Sequence, residues 1–202
     1  YTPNGVSFNE IEEACKLNVK INLDSMESLW DFSKKYKYYP ISIRINPNIL
    51  TGGNKNISVG HSGSKFGIPE DYINEIIKME NEGKIIIEGL HIHTGSDIIK
   101  QEDFERGFKK IFSISNKFKE IKIINFGGGL KIPYFSSDSR TNILSLSNSI
   151  KKLINKDRNI DIDNVKIIME PGKFLVGESG YFLAKVNYIK STPNKVFIQL
   201  NS

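Results

Sequence analysis

Cysteine is almost absent from this sequence of 202 residues, in which Cys15 stands alone. An intrachain disulfide is therefore excluded, and a reducing, cytoplasmic environment is the natural expectation. Histidine is scarce as well: the chain has three. A metal site built from several imidazoles has few possible ligands here.

Long apolar runs are also missing. No stretch approaches the roughly 20 residues of a membrane-spanning helix, and the N-terminus has no basic-then-apolar leader, so we expect no membrane association. The net charge is +5 and the pI about 9.1. The lysines are scattered, for example at 34–35, 109–110 and 151–152, which indicates solvated helix faces and no nucleic-acid partner.

Four short motifs follow predicted strands in a fixed order, with helical periodicity between them. They are Ile-Arg-Ile-Asn-Pro at 43–47, Gly-Leu-His-Ile-His-Thr-Gly-Ser at 89–96, Asn-Phe-Gly-Gly-Gly at 125–129 and Glu-Pro-Gly-Lys at 170–173. Repeated strand–loop–helix units with polar strand ends predict an α/β fold, a (β/α)8 TIM-type barrel. In such barrels the chemistry lies at the C-terminal ends of the strands.

Five strand–helix units are too few for a complete barrel, so the pattern predicts a partial one with about strands 4–8. The predicted strands are 20–24, 41–46, 86–93, 121–126 and 165–170. Asp24 is expected to cap the helix after the first of them, with Glu27 completing a capping box. The runs 181–190 and 195–200 lack a helix between them and predict the start of a C-terminal β-domain. The domains are thus 1–178 and 179–202, and because the chain begins at Tyr1 we expect a piece of a longer protein.

The triple glycine at 127–129 has two interpretations. Glycines after an apolar strand let backbone N–H groups approach a ligand closely, and the loops after the last two strands of a barrel recurrently bind phosphate. The alternative is a tight turn that needs positive φ.

His91 and His93 are two apart and share one face of a strand, so both are expected to point inward. They could form a metal dyad, a structural pair or an active-site imidazole. A metal dyad would need further ligands, and His61 is the only other histidine.

Glu170 ends an apolar strand, and a carboxylate facing a largely apolar interior needs a partner. One interpretation is an ion pair with Arg44, which alternation also places inward. The other is a carboxylate that holds a proton on a cofactor ring nitrogen. Lys65 is interpreted as a surface or subunit-interface lysine and not as a catalytic one.

The ordered motifs closely resemble those of the pyridoxal-phosphate-dependent amino-acid decarboxylases with the alanine-racemase-like barrel (group IV decarboxylases). The motifs that carry the resemblance are Arg-Ile-Asn-Pro at 44–47, Ser-Lys-Phe-Gly at 64–67, His-x-His-x-Gly-Ser at 91–96, Gly-Gly-Gly at 127–129 and Glu-Pro-Gly at 170–172. The stretches 60–68, 93–98 and 128–134 resemble the branch acting on diaminopimelate more than the ornithine branch.

The resemblance implies pyridoxal 5′-phosphate as the cofactor and a role for each motif. His93 would stack on its ring, Ser96 and Gly127, Gly128 and Gly129 would hold its phosphate, and Glu170 would pair with the ring nitrogen. Arg44 and Gly172 belong to the same implied cofactor site. Lys173 stands where the family has an arginine that contacts the phosphate and the substrate carboxylate; lysine keeps the charge but loses the bidentate geometry.

The activity implied is decarboxylation of meso-2,6-diaminopimelate to L-lysine by a homodimer that shares its active site between subunits. The family's Schiff-base lysine and acidic cysteine match no residue here, so the segment alone is expected to be inactive. The alternatives are a decarboxylase of ornithine, arginine or carboxynorspermidine, a non-catalytic homologue that binds partners, and a metal-dependent barrel hydrolase.

Overall fold

A computed structural model describes residues 1–49, 60, 63–156 and 164–202. The Gly- and Asn-rich segment 51–54, which the sequence predicts to be a loop, and His61 lie outside the described residues. The helices are α1 Phe8–Lys16, α2 Met26–Lys35, α3 Ile73–Asn81, α4 Gln101–Ser115, α5 Ile143–Lys156 and α6 Gly172–Val176. The strands are β1 Asn22–Leu23, β2 Pro40–Asn46, β3 Ile68–Pro69, β4 Ile86–His91, β5 Ile123–Asn125, β6 Lys166–Ile168, β7 Val186–Ser191 and β8 Val196–Leu200.

The central sheet is parallel and runs in the order β1-β2-β4-β5-β6, with the short β3 paired to the end of β2. The strands β1, β4, β5 and β6 are each followed by a helix, as the periodicity predicts, and the short β3 lies between β2 and α3. The expected α/β fold with a parallel sheet is confirmed. Five strands in this order make a partial barrel whose two edges are β1 and β6.

The strands alternate between two environments. On β2, Ile41, Ile43 and Ile45 are fully buried, and they belong to the same apolar cluster as Leu29 and Phe32 of α2 and Ile76 of α3. The intervening Ser42 and Arg44 occupy the other face, because successive side chains of a strand point to opposite sides. The face away from the helices is therefore polar near the strand ends.

The helix after β4 has the strongest apolar side. Phe104, Phe108, Ile111 and Phe112 of α4 are all buried, as the spacing predicts. Phe108 and Phe112 both meet Phe126, at ring-centroid distances of 4.2 and 5.6 Å. This aromatic contact fixes the residue directly before the triple glycine against α4.

After α6 the parallel strand–helix pattern ends. Strands β7 and β8 form an antiparallel hairpin, and every residue from 177 to 202 is exposed. The two β-rich runs are therefore confirmed as strands. That they begin a separate domain at about residue 179 stays a prediction.

The helix cap expected at Asp24 is wrong. The N-cap of α2 is Ser25, whose Oγ accepts the Ser28 backbone N–H at 3.2 Å. Asp24 instead accepts a hydrogen bond from Asn4 Nδ2 at 2.6 Å. Both residue types cap helices well. Because the Asp24 carboxylate is bonded to Asn4, the helix is capped by Ser25.

None of the helices in the described ranges combines the length and the apolar character that crossing a membrane would require.

Removal of the Ser25 hydroxyl should weaken α2. We expect Ser25→Ala to lower the free energy of unfolding by about 1 kcal/mol, since an N-terminal N–H loses its acceptor. Urea denaturation would measure the change. Ser33→Ala in the same helix is the matched control, because Ser33 Oγ donates to the Trp30 carbonyl one turn earlier and caps no helix end. Equal losses in the two variants would contradict the cap assignment.

Candidate active site

The triple glycine forms a turn that only glycine can adopt. Gly127 and Gly129 have φ values of +66° and +96°, in the left-handed region. A Cβ on Gly127 would lie 2.6 Å from the Ile92 carbonyl oxygen and 2.7 Å from His93 Nδ1. Positive φ and close approach to the loop after β4 thus both require glycine at this turn.

Two of the turn's N–H groups are engaged within the protein. The Gly127 N–H donates to Asn125 Oδ1 at 2.8 Å, and the Gly128 N–H donates to His93 Nδ1 at 3.0 Å. The glycine turn is therefore tied to the end of β5 on one side and to the loop after β4 on the other. Phosphate binding at this turn stays a prediction.

His93 lies beyond the end of β4, which stops at His91. Its ring is positioned by the Gly128 N–H and not by strand alternation. With Nδ1 as the acceptor, Nε2 carries the proton of the neutral ring. Burial and the nearby positive charge of Arg44 lower the pKa of His93, so the ring is neutral near pH 7.

His91 points inward from β4, as predicted, and is almost completely buried. Asn22 Nδ2 lies 2.7 Å from its Nδ1, while its Nε2 has no hydrogen-bond partner among the described residues. Burial, followed by the positive charge of Arg44, lowers the pKa of His91 to about 3. The two histidines thus add no charge to the site at neutral pH.

The expectation of a buried Glu170 is wrong, since 46% of its side chain is exposed. It follows β6, an edge strand that pairs only with β5 among the residues that the structure describes. The carboxylate nevertheless has polar contacts: Asn125 Nδ2 donates to Oε1 at 2.8 Å, and His91 Nε2 lies 3.7 Å from Oε2. Its backbone N–H also donates to the Gly127 carbonyl at 2.8 Å.

Arg44 contributes the positive charge of the inner face. No ion pair joins it to Glu170 within 4 Å, although both are described, and its guanidinium lies over the Phe66 ring at 4.9 Å. Burial lowers the pKa of Arg44, while the charges of Asp24 and Glu170 oppose the effect. The interpretation of Glu170 as the direct partner of Arg44 is therefore not supported.

Lys173 is held by a residue from the loop after β4. Its Nζ lies 2.5 Å from Asp97 Oδ1 and 5.6 Å from the centre of the Tyr134 ring. Burial works to lower the pKa of Lys173, but hydrogen bonds to Asp97 and Tyr134 prevail and raise it. Lys173 is thus a cation fixed beside Ser96, the residue that precedes Asp97.

The remaining predicted residues lie in the same region. Ser96 is half-buried, and its neighbour Gly95 approaches Gly129 so closely that a Cβ on Gly129 would collide with the Gly95 carbonyl. Gly172 opens α6, and its N–H donates to the Glu170 carbonyl at 2.9 Å. The structure therefore gathers Ser96, the glycine turn, His93, Glu170, Gly172 and Lys173 at one end of the sheet.

Three polar residues of this network were given no role by the sequence. Asn125 was noted only as part of a motif, although its place before the glycine turn on an inward position was a usable signal. Asn22 also faces inward by alternation, but its strand is too short to give a clear alternating pattern. Asp97 adopts a positive φ of +56°, and no sequence pattern indicates that it meets Lys173.

Among residues 1–49, 60, 63–156 and 164–202, no three His, Cys, Asp or Glu side chains come together as metal ligands would. A parallel sheet whose strand ends gather a glycine turn, two neutral histidines and a carboxylate defines a small-molecule-binding domain of the α/β-barrel class. The particular family follows from comparison with known proteins. The chain belongs to the pyridoxal-dependent decarboxylases, because residues 1–177 match the family's pyridoxal-binding domain.

Similar proteins agree with this membership. The chain is 31% identical to the diaminopimelate decarboxylase of Methanothermobacter thermautotrophicus over 96% of its own length. It superposes with a TM-score of 0.77 and 26% identity on that of Helicobacter pylori complexed with L-lysine. The corresponding values are 0.76 and 28% for the enzyme of Methanocaldococcus jannaschii in co-complex with L-lysine.

The chain covers 47% of the first relative and 51% and 49% of the two crystallised chains, so it spans about half the length of the proteins it matches. The predicted family and its cofactor class, pyridoxal phosphate, are confirmed. Membership in this family argues against a metal-dependent barrel hydrolase.

The neutral state of His91 predicts an acid-sensitive fold. An unfolded histidine protonates near pH 6.5, whereas the folded His91 does so at about 3, so the unfolded state binds more protons between these values. The free energy of unfolding should therefore be highest above pH 6.5 and fall as the pH is lowered. Urea denaturation from pH 7.5 to 5 should give a shallower dependence for His91→Gln than for the parent, and identical slopes would contradict the assignment.

Proposed function

We propose that this chain forms the cofactor-binding part of a diaminopimelate decarboxylase, which converts meso-2,6-diaminopimelate to L-lysine and carbon dioxide. The observation that carries the proposal is the hydrogen-bonded link through Asn125. It joins the glycine turn, through the Gly127 N–H, to the Glu170 carboxylate. A phosphate cradle and an anionic partner for a ring nitrogen are thereby held at a fixed separation.

The residues present fit pyridoxal phosphate. The glycine turn has no side chains and packs its backbone closely against the loop after β4, which carries the Ser96 hydroxyl; exposed backbone and a hydroxyl together suit a phosphate group. His93 offers a neutral, half-buried ring suited to stacking on an aromatic cofactor. Glu170 offers a carboxylate with an exposed edge, suited to a protonated ring nitrogen.

When bound, pyridoxal phosphate accepts the electron pair that remains on the substrate carbon as carbon dioxide leaves. Glu170 supports that chemistry by keeping a negative charge beside the ring nitrogen, so that the nitrogen retains its proton. Asn125 keeps the carboxylate in place with a neutral donor, which does not itself cancel its charge. Arg44 adds a positive charge on the inner face near Glu170 and the histidines.

Lys173 is proposed to contact the phosphate or the substrate carboxylate. Its pairing with Asp97 supports a fixed position next to Ser96, and its single ammonium group can serve one such anion without bidentate geometry. Gly172 is the first residue of α6, and its N–H donates to the Glu170 carbonyl, so the start of this helix is held against Glu170.

The complete activity is proposed for a longer assembly. The chain spans about half of its relatives, and no lysine or cysteine in it matches the Schiff-base lysine or acidic cysteine of the family. A small amino-acid substrate is supported by the lysine complexes of two similar structures. The homodimer with a shared site and the cytoplasmic location stay predictions.

Glu170→Gln tests the proposed function. In a protein that joins this chain to the family's Schiff-base lysine, we expect cofactor binding to change little and carbon dioxide release from diaminopimelate to fall by about 100-fold or more, since an electrostatic partner of the reaction is lost. Glu178→Gln is the matched control, because Glu178 is exposed and bonds Arg140 instead. Near-normal turnover in Glu170→Gln would overturn the role of Glu170.

Gly128→Val tests the phosphate cradle. A Cβ at Gly128 would collide with the Glu170 carbonyl oxygen, and the side chain would block approach to the turn. We expect the affinity for pyridoxamine 5′-phosphate to fall about tenfold or more, with little change for pyridoxamine, which lacks the phosphate. Equilibrium dialysis of the 202-residue chain would measure both without covalent attachment to lysines.

The control for that variant is Gly180→Val, because an added Cβ at Gly180 meets no atom within 4 Å. An unchanged dissociation constant for pyridoxamine 5′-phosphate in Gly128→Val would show that the glycines serve only as a turn.

A further inference from the structure

The Nε2 atom of His91 is the starting point, because a buried polar atom without a partner demands an explanation. His91 is 3% exposed, and Nε2 forms no hydrogen bond within the described part of the chain. The nearest acidic oxygen is Glu170 Oε2, at 3.7 Å. This distance exceeds that of a hydrogen bond, yet the Glu170 side chain is 46% exposed and has room to rotate.

Asn22 selects which ring nitrogen of His91 carries the proton. Its Nδ2 group lies 2.7 Å from His91 Nδ1 and donates a second hydrogen bond to Thr2 Oγ1 at 3.0 Å. Donation from Asn22 makes Nδ1 an acceptor, so Nε2 of the neutral ring bears the hydrogen. The opposite tautomer would direct an Nε2 lone pair at the Glu170 carboxylate, which is electrostatically unfavourable.

Glu170 therefore has a donor near each of its two carboxylate oxygens. Asn125 Nδ2, from the end of β5, donates to Oε1, and His91 Nε2–H, from the end of β4, faces Oε2. His91 and Asn125 are direct partners in the parallel register of these two strands. Both donors are neutral, so they can orient the carboxylate without cancelling its charge; the low pKa of His91 is consistent with this state.

We propose that His91 is a positioning residue that acts through Glu170: in the Nε2–H tautomer set by Asn22, it fixes the carboxylate at Oε2, the oxygen that Asn125 does not bond. The proposal rests on the proposed function, in which Glu170 meets the cofactor ring nitrogen. It assigns a role to Asn22, on a strand that contributes no other residue to the site.

Asn22→Asp is the decisive variant. An aspartate can only accept, so it should draw the proton to Nδ1 and leave a lone pair on Nε2 facing Glu170. Side-chain 15N NMR of the 202-residue chain should show His91 protonated at Nε2 in the parent and at Nδ1 in Asn22→Asp. Asn22→Leu, which removes the donor without adding charge, should populate both tautomers, and Asn194→Asp in the exposed hairpin turn should leave the parent pattern unchanged.

The second readout is ligand affinity. Asn22→Asp should lower the affinity for pyridoxamine 5′-phosphate about tenfold. The affinity for benzyl phosphate, which has no ring nitrogen, should change little. In a Glu170→Gln background the same substitution should have little further effect, because coupled residues are not additive. Parent chains that bind neither ligand would refute the proposed cofactor site but leave the tautomer test standing.

Two results would overturn the positioning role. One is a parent His91 that carries its proton on Nδ1. The other is an Asn22→Asp loss of affinity that is equally large with Glu170→Gln present, since the effect would then reach the ligand without passing through Glu170.

Discussion

The strand register of the parallel sheet is the constraint on which the site depends. Arg44 is level with His91, and His91 with Asn125. Because side chains alternate between faces, this alignment places three polar groups from three strands side by side on the inner face. A slip of one residue in any pairing would exchange a polar group for an isoleucine from the helix-facing core. Burial of Ile43, Leu90 and Ile124 on the helix-facing side therefore also fixes which side chains lie on the polar face.

Neutral hydrogen-bonding groups connect the segments around Arg44 and Glu170. Asn22, His91, His93 and Asn125 each join neighbouring segments without adding charge, while Arg44 and Glu170 keep theirs. The buried histidines remain neutral because burial and the Arg44 cation both disfavour a second positive charge. This arrangement resembles an electrostatically prepared binding surface more than a set of salt bridges.

Much of this could be predicted from the sequence. The amphipathic pattern of Phe104, Phe108, Ile111 and Phe112 identified α4, and the polar and glycine-rich strand ends identified the edge of the sheet where the site lies. The burial of Glu170 was mispredicted because alternation says which face a residue occupies and not whether a neighbouring strand covers it. The cap of α2 was misassigned because two adjacent residues had equal local preference and a tertiary contact to Asn4 decided between them. The pairing of Asp97 with Lys173 joins residues 76 apart in the sequence, and no local signal reports it.

The loop after β4 and the glycine turn after β5 behave as one piece of backbone. The Ile98 N–H donates to the Gly129 carbonyl at 2.9 Å, the Gly95 carbonyl abuts Gly129, and Thr141 Oγ1 donates to the Ile98 carbonyl at 2.7 Å. The lengths of the loop after β4 and of the glycine turn are therefore constrained. An insertion at 95–98 or 127–129 would separate two turns that are built against each other, whereas residues 135–137 are exposed and belong to neither turn. We therefore expect changes in chain length to be tolerated in the exposed segment before Asp138 and not in the two packed turns.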